Sequence, residues 1–212
     1  MGASCAHHAP AADALFRRVL WIALAVNAAM FVVEVAAGML ARSLSLQADS
    51  LDFLGDAANY GISLFVLGLG ARARASAALG KGVAMGTFGL WVIGAAAYRS
   101  IHGAMPEAAI MAPVGLAALA ANVTVAFLLF RYSRGDSNMR SVWLCSRNDA
   151  IGNLAVIAAA GGVYATGSLW PDLAVGALIA GLSLAAAYTV VRLAATELRA
   201  AGRAEGAPAP AA

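Results

Sequence analysis

Hydrophobic positions dominate the chain and fall into six long runs separated by short polar or turn-forming segments. A helix needs about 20 mostly apolar residues to cross the hydrocarbon core of a bilayer, and each run is long enough. The pattern predicts an all-α polytopic membrane protein with six transmembrane helices, at approximately residues 15–40, 44–70, 79–104, 109–130, 142–165 and 173–195.

The second run contains three acidic residues in an otherwise apolar sequence. Asp49, Asp52 and Asp56 are spaced i, i+3 and i+7, which places them on one face of a helix, and Asn59 continues that face. A charged residue at the centre of a membrane helix costs roughly 2.5–3.5 kcal/mol on insertion scales. We therefore expect this face to meet the protein interior, a water-filled cavity or a cation.

A second polar cluster lies on the fifth predicted helix, where Cys145 and Asp149 are spaced i and i+4. Together with Asp52 and Asp56 they offer three carboxylates and one thiolate, which can surround a small divalent ion tetrahedrally, as zinc prefers. The thiolate favours zinc and cadmium over harder ions. Metal binding requires deprotonated ligands and so releases protons. The ligand set predicts exchange of a transported metal for protons, with no resident cofactor.

Other polar residues within the predicted helices suggest supporting roles. Asn27 and Glu34 share one face of the first helix, and Asn122 lies within the fourth. We interpret these three as interhelical polar partners rather than ligands. Asp49 is equally consistent with a structural hydrogen-bonding role and with the transport pathway. Asp172 lies just before the sixth helix.

Composition and charge limit the function classes. The chain is 62% hydrophobic and 12% charged, whereas a soluble domain has about 25% charged residues. The net charge of +3 comes from scattered basic residues, which argues against nucleic-acid binding. With the loops assigned alternately to the two sides, the positive-inside rule predicts that both termini are cytoplasmic. One side receives Arg17, Arg18, Arg72, Arg74, Lys81, Arg131, Arg134, Arg140, Arg199 and Arg203, and the other receives Arg42 and Arg99.

The domain organisation is a single membrane domain, residues 14–199, between two short tails. Residues 1–13 form an N-terminal cytoplasmic tail whose Cys5, His7 and His8 are a weak candidate for metal capture. Residues 200–212 are rich in Ala, Pro and Gly, which predicts a disordered tail.

Three motifs match a known family. They are Asn27 and Glu34 followed by Ser43-Leu-Ser-Leu-Gln-Ala-Asp-Ser-Leu-Asp-Phe-Leu-Gly-Asp56, then Cys145-Ser-Arg-Asn-Asp-Ala-Ile-Gly-Asn153, and Trp170-Pro-Asp-Leu-Ala-Val-Gly176. They resemble the cation diffusion facilitator family of divalent-metal transporters. The resemblance implies six helices, cytoplasmic termini, usually a homodimer, and export of zinc or a related ion such as cadmium, cobalt or iron against protons. We also expect the protein to lie in a bacterial inner membrane.

The resemblance places the family's ligand quartet on Asp52, Asp56, Cys145 and Asp149, with Asp49 outside it. This sequence departs from the family in two respects. Cys145 stands where members usually have histidine, which bears on metal preference. The sequence also ends soon after the sixth helix, where members usually continue into a soluble metal-binding domain. A homodimer would then be expected to form through membrane helices.

Other functions are compatible with the same residues. A metal importer or a passive channel would use the same ligands, because the sequence does not fix direction. An intramembrane aspartyl hydrolase could activate water between Asp56 and Asp149, although the Tyr-Asp and Gly-x-Gly-Asp motifs of that enzyme group do not match these sites. A transport-dead partner subunit is the third alternative.

Overall fold

Helices account for nearly all of the residues that the structure describes. The computed structural model describes residues 10–66, 71–103, 105–130 and 137–205, and these contain no β-strand. The helices are α1 (Pro10–Leu40), α2 (Leu44–Gly61), α3 (Ala71–His102), α4 (Ala108–Phe130), α5 (Ser137–Thr166) and α6 (Trp170–Glu205), and a π-helical segment, Ile62–Val66, follows α2. The predicted all-α fold with six helices is confirmed.

Five of these helices are long and apolar enough to cross a membrane: α1, α3, α4, α5 and α6. Helix α2 differs because it carries three aspartates within 18 residues. With the π-helical segment it forms 23 residues of continuous helix, roughly 35 Å in length. That length is sufficient to cross the hydrocarbon core of a bilayer, which is about 30 Å thick.

Helix α2 occupies the centre of the bundle. It contacts α1, α3, α5 and α6, while α3 packs along α6 and α4 packs along α5. Two apolar clusters hold its ends. Leu44, Leu46 and Ala48 belong to one cluster, and Tyr60 belongs to the other. The three aspartates therefore lie along the middle of α2, between two hydrophobic regions that fix its position.

Asp172 at the start of α6 fastens the first turn of α2. Its Oδ1 accepts hydrogen bonds from Ser43 Oγ at 2.7 Å, Ser45 N at 2.9 Å and Ser45 Oγ at 2.6 Å, and its Oδ2 accepts one from Leu44 N at 2.7 Å. The first backbone N–H groups of a helix have no partner within the helix. Asp172 supplies that partner from a neighbouring helix, so its role is to position α2.

The same junction requires a glycine on α6. A Cβ on Gly176 would lie 2.8 Å from the carbonyl carbon of Leu44 and 2.9 Å from Ser45 N. These are backbone atoms, so a side chain at position 176 would push the two helices apart. Gly176 thus allows the close approach that places Asp172 against the start of α2.

The helices extend beyond several of the predicted boundaries. Helix α3 begins at Ala71 rather than near residue 79, so Arg72 lies on a helix and not between the second and third predicted helices. The Ala-rich sequence explains this, because alanine has the highest helix propensity. Helix α5 begins at Ser137, within the predicted polar loop, and α6 continues to Glu205. The predicted metal-capturing tail lies outside the described residues.

Candidate cation site

The acidic face of α2 points into the bundle, as its spacing predicts. Asp49 is fully buried and Asp56 is 4% exposed, whereas Asp52 is partly exposed. Each of the three has different neighbours. Asp52 borders a cavity, whereas Asp49 is enclosed in the interior of the bundle.

Asp56 of α2 meets Asp149 of α5. The two carboxyl groups face each other within hydrogen-bonding reach. Tyr60, one turn further along α2, donates its hydroxyl to Asp56 Oδ2 at 2.8 Å. Two carboxylates at this separation repel each other, so either a proton or a cation must lie between them. The pair predicted from two distant stretches of sequence is therefore brought together.

Asp52 and Asp149 line one cavity of about 570 Å³ between α5 and α6. Among the described lining residues, the other hydroxyl or carboxyl group is that of Ser183, which donates to Asp52 Oδ1 at 3.2 Å. Met85 of α3 adds a thioether, and the remaining lining residues are small or aliphatic. The cavity gives Asp52 and Asp149 contact with a space large enough for a hydrated ion.

The fourth predicted ligand lies on the same helix as Asp149. The backbone of α5 includes Cys145, but its side chain is outside the described residues. Among the described side chains, no three His, Cys, Asp or Glu groups are close enough to hold a metal ion. The structure thus pairs Asp56 with Asp149 and sets Asp52 on the adjoining cavity, and the complete quartet stays a prediction.

Asp49 belongs to a hydrogen-bonded chain that crosses three helices. Asn153 Nδ2 of α5 donates to Asp49 Oδ2 at 2.6 Å, and Asn122 Nδ2 of α4 donates to Asn153 Oδ1 at 2.9 Å. Asn122 is therefore an interhelical partner, as expected. Asn27 differs, because among the described residues its only side-chain hydrogen bond is the one that its amide donates to Ala23 O of its own helix at 2.8 Å.

Asn59, at the far end of the acidic face, has a basic neighbour. Lys81 of α3 donates to its Oδ1, and both residues line a separate cavity of about 280 Å³ with Glu197 of α6. This contact occupies the Asn59 carbonyl oxygen with an ammonium group, so Asn59 marks the end of the acidic face in this conformation.

Several residues that hold the site have no role predicted from the sequence. Asn153 fixes Asp49, Tyr60 binds Asp56 and Ser183 binds Asp52. Asn153 has a detectable signal, since it follows Asp149 by four residues and continues the face that begins at Cys145. Ser183 and Tyr60 carry no comparable signal, because a serine or tyrosine in an apolar helix has many ordinary roles.

Comparison with known proteins decides the family. A model of the cation efflux transmembrane domain matches residues 20–198. The chain belongs to the cation efflux family. This family consists of transporters, so the match favours transport over the aspartyl hydrolase alternative. It also establishes an integral membrane protein.

A relative from Bacillus velezensis is named "Cadmium, cobalt and zinc/H(+)-K(+) antiporter". It is 28% identical to this chain over 193 residues, an alignment that covers 83% of this chain and 61% of the relative. The chain therefore spans about three fifths of that relative's length.

Proposed function

We propose that this protein exports a divalent transition-metal cation from the cytoplasm in exchange for protons. The observation that carries the proposal is the meeting of Asp56 and Asp149 in the bundle interior, beside the cavity that Asp149 shares with Asp52. Membership of the cation efflux family supports transport of a metal cation. Proton coupling and the identity of the metal belong to the proposal.

The proposed ligands are Asp52, Asp56, Cys145 and Asp149. Zinc is the proposed main substrate, because three carboxylates and a thiolate provide four donors of types that zinc accepts in tetrahedral geometry. Cadmium, cobalt and iron are the other candidates, and the thiolate favours the softer ions among them. The name of the Bacillus velezensis relative includes cadmium, cobalt and zinc.

The proposed mechanism follows from the charge of the site. Without metal, a proton lies between the Asp56 and Asp149 carboxyl groups and relieves their repulsion. A divalent ion entering the cavity replaces that proton, because the same oxygens cannot bind both. When the site faces the opposite side, where protons are more abundant, reprotonation releases the ion. We place both termini in the cytoplasm of a bacterial cell and the protein in its inner membrane, with any homodimer formed through membrane helices.

Zinc flux into vesicles tests the proposal directly. In inside-out vesicles, an acidic interior should drive zinc uptake, and protons should leave as zinc enters. Cadmium, cobalt and manganese provide the comparison series, and liposomes without protein provide the background.

The same vesicle measurement separates the competing functions. Zinc flux that does not depend on the pH gradient and is not accompanied by proton movement would indicate a channel. Accumulation in the reverse direction would indicate an importer. Loss of all flux in a folded protein that still binds zinc would indicate a transport-dead partner subunit.

A further inference from the structure

A second pair of facing carboxyl groups lies between α1 and α2. Glu34 of α1 and Asp49 of α2 are both fully buried, and their carboxyl groups face each other within hydrogen-bonding reach. Neither group lines the cavity that Asp52 and Asp149 share. The sealed pair, as we call Glu34 and Asp49, is therefore separate from the proposed ligands.

Most of the oxygens in the sealed pair have no donor. Both carboxyl oxygens of Glu34 and Oδ1 of Asp49 accept no hydrogen bond from a described residue, and only Asp49 Oδ2 is satisfied, by Asn153. Ionised carboxylates accept hydrogen bonds but cannot donate them. Two buried carboxylates without a donor between them are strongly unfavourable. A single proton on the pair supplies the missing donor and removes the repulsion.

Among the side chains that the structure describes, none supplies a positive charge to the sealed pair. Three described groups lie around the pair: Asp52 on α2, and Asn153 and Asp149 on α5. Asn122 on α4 binds Asn153. Lys81 on α3 and Asp172 on α6 contact α2 nearer its two ends. The charged groups that interact with the pair, Asp52 with Glu34 and Asp149 with Asp49, are acidic. Lys81 is engaged with Asn59, at the other end of α2.

We propose that Glu34 and Asp49 form a proton-binding site that releases its proton when a divalent cation binds at the neighbouring aspartates. This inference rests on the proposed function. Asp49 lies one turn before Asp52 on the same helix, so a cation at Asp52 lies close to the sealed pair. The ion brings two positive charges while its ligands lose one proton, so the metal site gains one positive charge, and this gain stabilises a second carboxylate in the pair. The O–H bond of the shared acid then breaks, the proton leaves, and two carboxylates stay behind.

Infrared spectroscopy of the wild-type protein can observe this proton directly. The sequence has four glutamates, Glu34, Glu107, Glu197 and Glu205. Glu107 and Glu197 are exposed, whereas Glu34 is fully buried. In protein labelled with ¹³C-glutamate, we expect a protonated glutamic acid band at neutral pH without metal, and loss of that band when zinc is added. The band should be absent from Glu34→Gln and kept in the matched control Glu107→Gln.

The release of protons gives a second readout. Glu34→Gln keeps the size of the side chain and can donate to Asp49, so it mimics the protonated pair. In weakly buffered solution, Glu34→Gln should still bind zinc but release about one proton fewer per zinc than wild type. Because the labelled wild-type measurement needs no variant, the test survives if Glu34→Gln fails to fold.

Two results would refute the proton-binding role of the sealed pair without contradicting the proposed function. One is the absence of a protonated glutamic acid band in metal-free wild-type protein at neutral pH. The other is a band that persists when calorimetry shows that zinc is bound. If wild-type protein bound no divalent ion at all, the proposed function would fail, and the release step would fail with it.

Discussion

The three aspartates of α2 share a helix face but have different surroundings. Asp56 meets Asp149, Asp52 opens to the cavity, and Asp49 bonds to Asn153 beside Glu34. Their i, i+3, i+7 spacing predicts the common face and not these partners. The partners come from α1, α5 and α6, which no spacing within α2 can specify. Roles for individual aspartates therefore follow from packing.

Replacing Asp56 or Asp149 by alanine should abolish zinc flux while leaving membrane insertion intact. Changes to outer partners of a metal ligand cost roughly 10–100-fold in affinity or activity, and we expect a larger loss for residues that touch the ion. Flux into vesicles, normalised to protein inserted, measures the effect. Glu107→Ala, which removes an exposed acid, is the control. Parental flux in either site variant would refute the shared site.

Cys145 should determine the preference between cadmium and zinc. Cys145→His should keep zinc transport, because imidazole is a good zinc ligand, but lower cadmium flux relative to zinc. Cys145→Ser should reduce both fluxes, because a neutral hydroxyl is a poor substitute for a thiolate. If Cys145 only fills space, serine would be tolerated and the bulkier histidine would do the damage. An unchanged cadmium-to-zinc ratio in an active histidine variant would rule out this role.

At the scale of the elements, the junction between α2 and α6 sets the depth of the acidic face. Asp172 binds the first turn of α2, and Gly176 permits the close approach. The sequence places Asp172 near the start of a helix, but its contact with Ser43 joins residues 129 positions apart. Because the two residues are so far apart in sequence, a supporting role for Asp172 could be predicted but its partner on α2 could not.

Substituting Gly176 by alanine should destabilise the protein by about 1–3 kcal/mol, as overpacking does in other well-packed cores. The added Cβ would meet the backbone of Leu44, which cannot move aside as a flexible side chain can. Thermal unfolding in detergent measures the change. Gly181→Ala on the same helix is the matched control, because nothing lies within 4 Å of its added Cβ. Equal unfolding temperatures for the two variants would show that the junction is not tightly packed.

At the scale of the whole molecule, the six hydrophobic runs predict the membrane fold, because segment length and apolar content suffice for a helix in a bilayer. Helix ends are less predictable. Helix α3 begins at Ala71 because alanine-rich sequence extends a helix past basic residues such as Arg72.

The acidic pairs Asp56 with Asp149 and Glu34 with Asp49 depend on how whole helices pack. A spacing rule identified the candidates on each helix, and only the assembled bundle pairs them.

Zinc X-ray absorption spectroscopy of the purified protein tests the central claim most directly, because it reports which atoms touch the metal. Binding by Asp52, Asp56, Cys145 and Asp149 predicts a four-coordinate ion with oxygen neighbours at roughly 2.0–2.2 Å and one sulfur at about 2.3 Å. The sulfur contribution should disappear in Cys145→Ser, and the oxygen shell should change in Asp149→Asn. A wild-type spectrum without sulfur, or one left unaltered by Asp149→Asn, would contradict the proposed metal site.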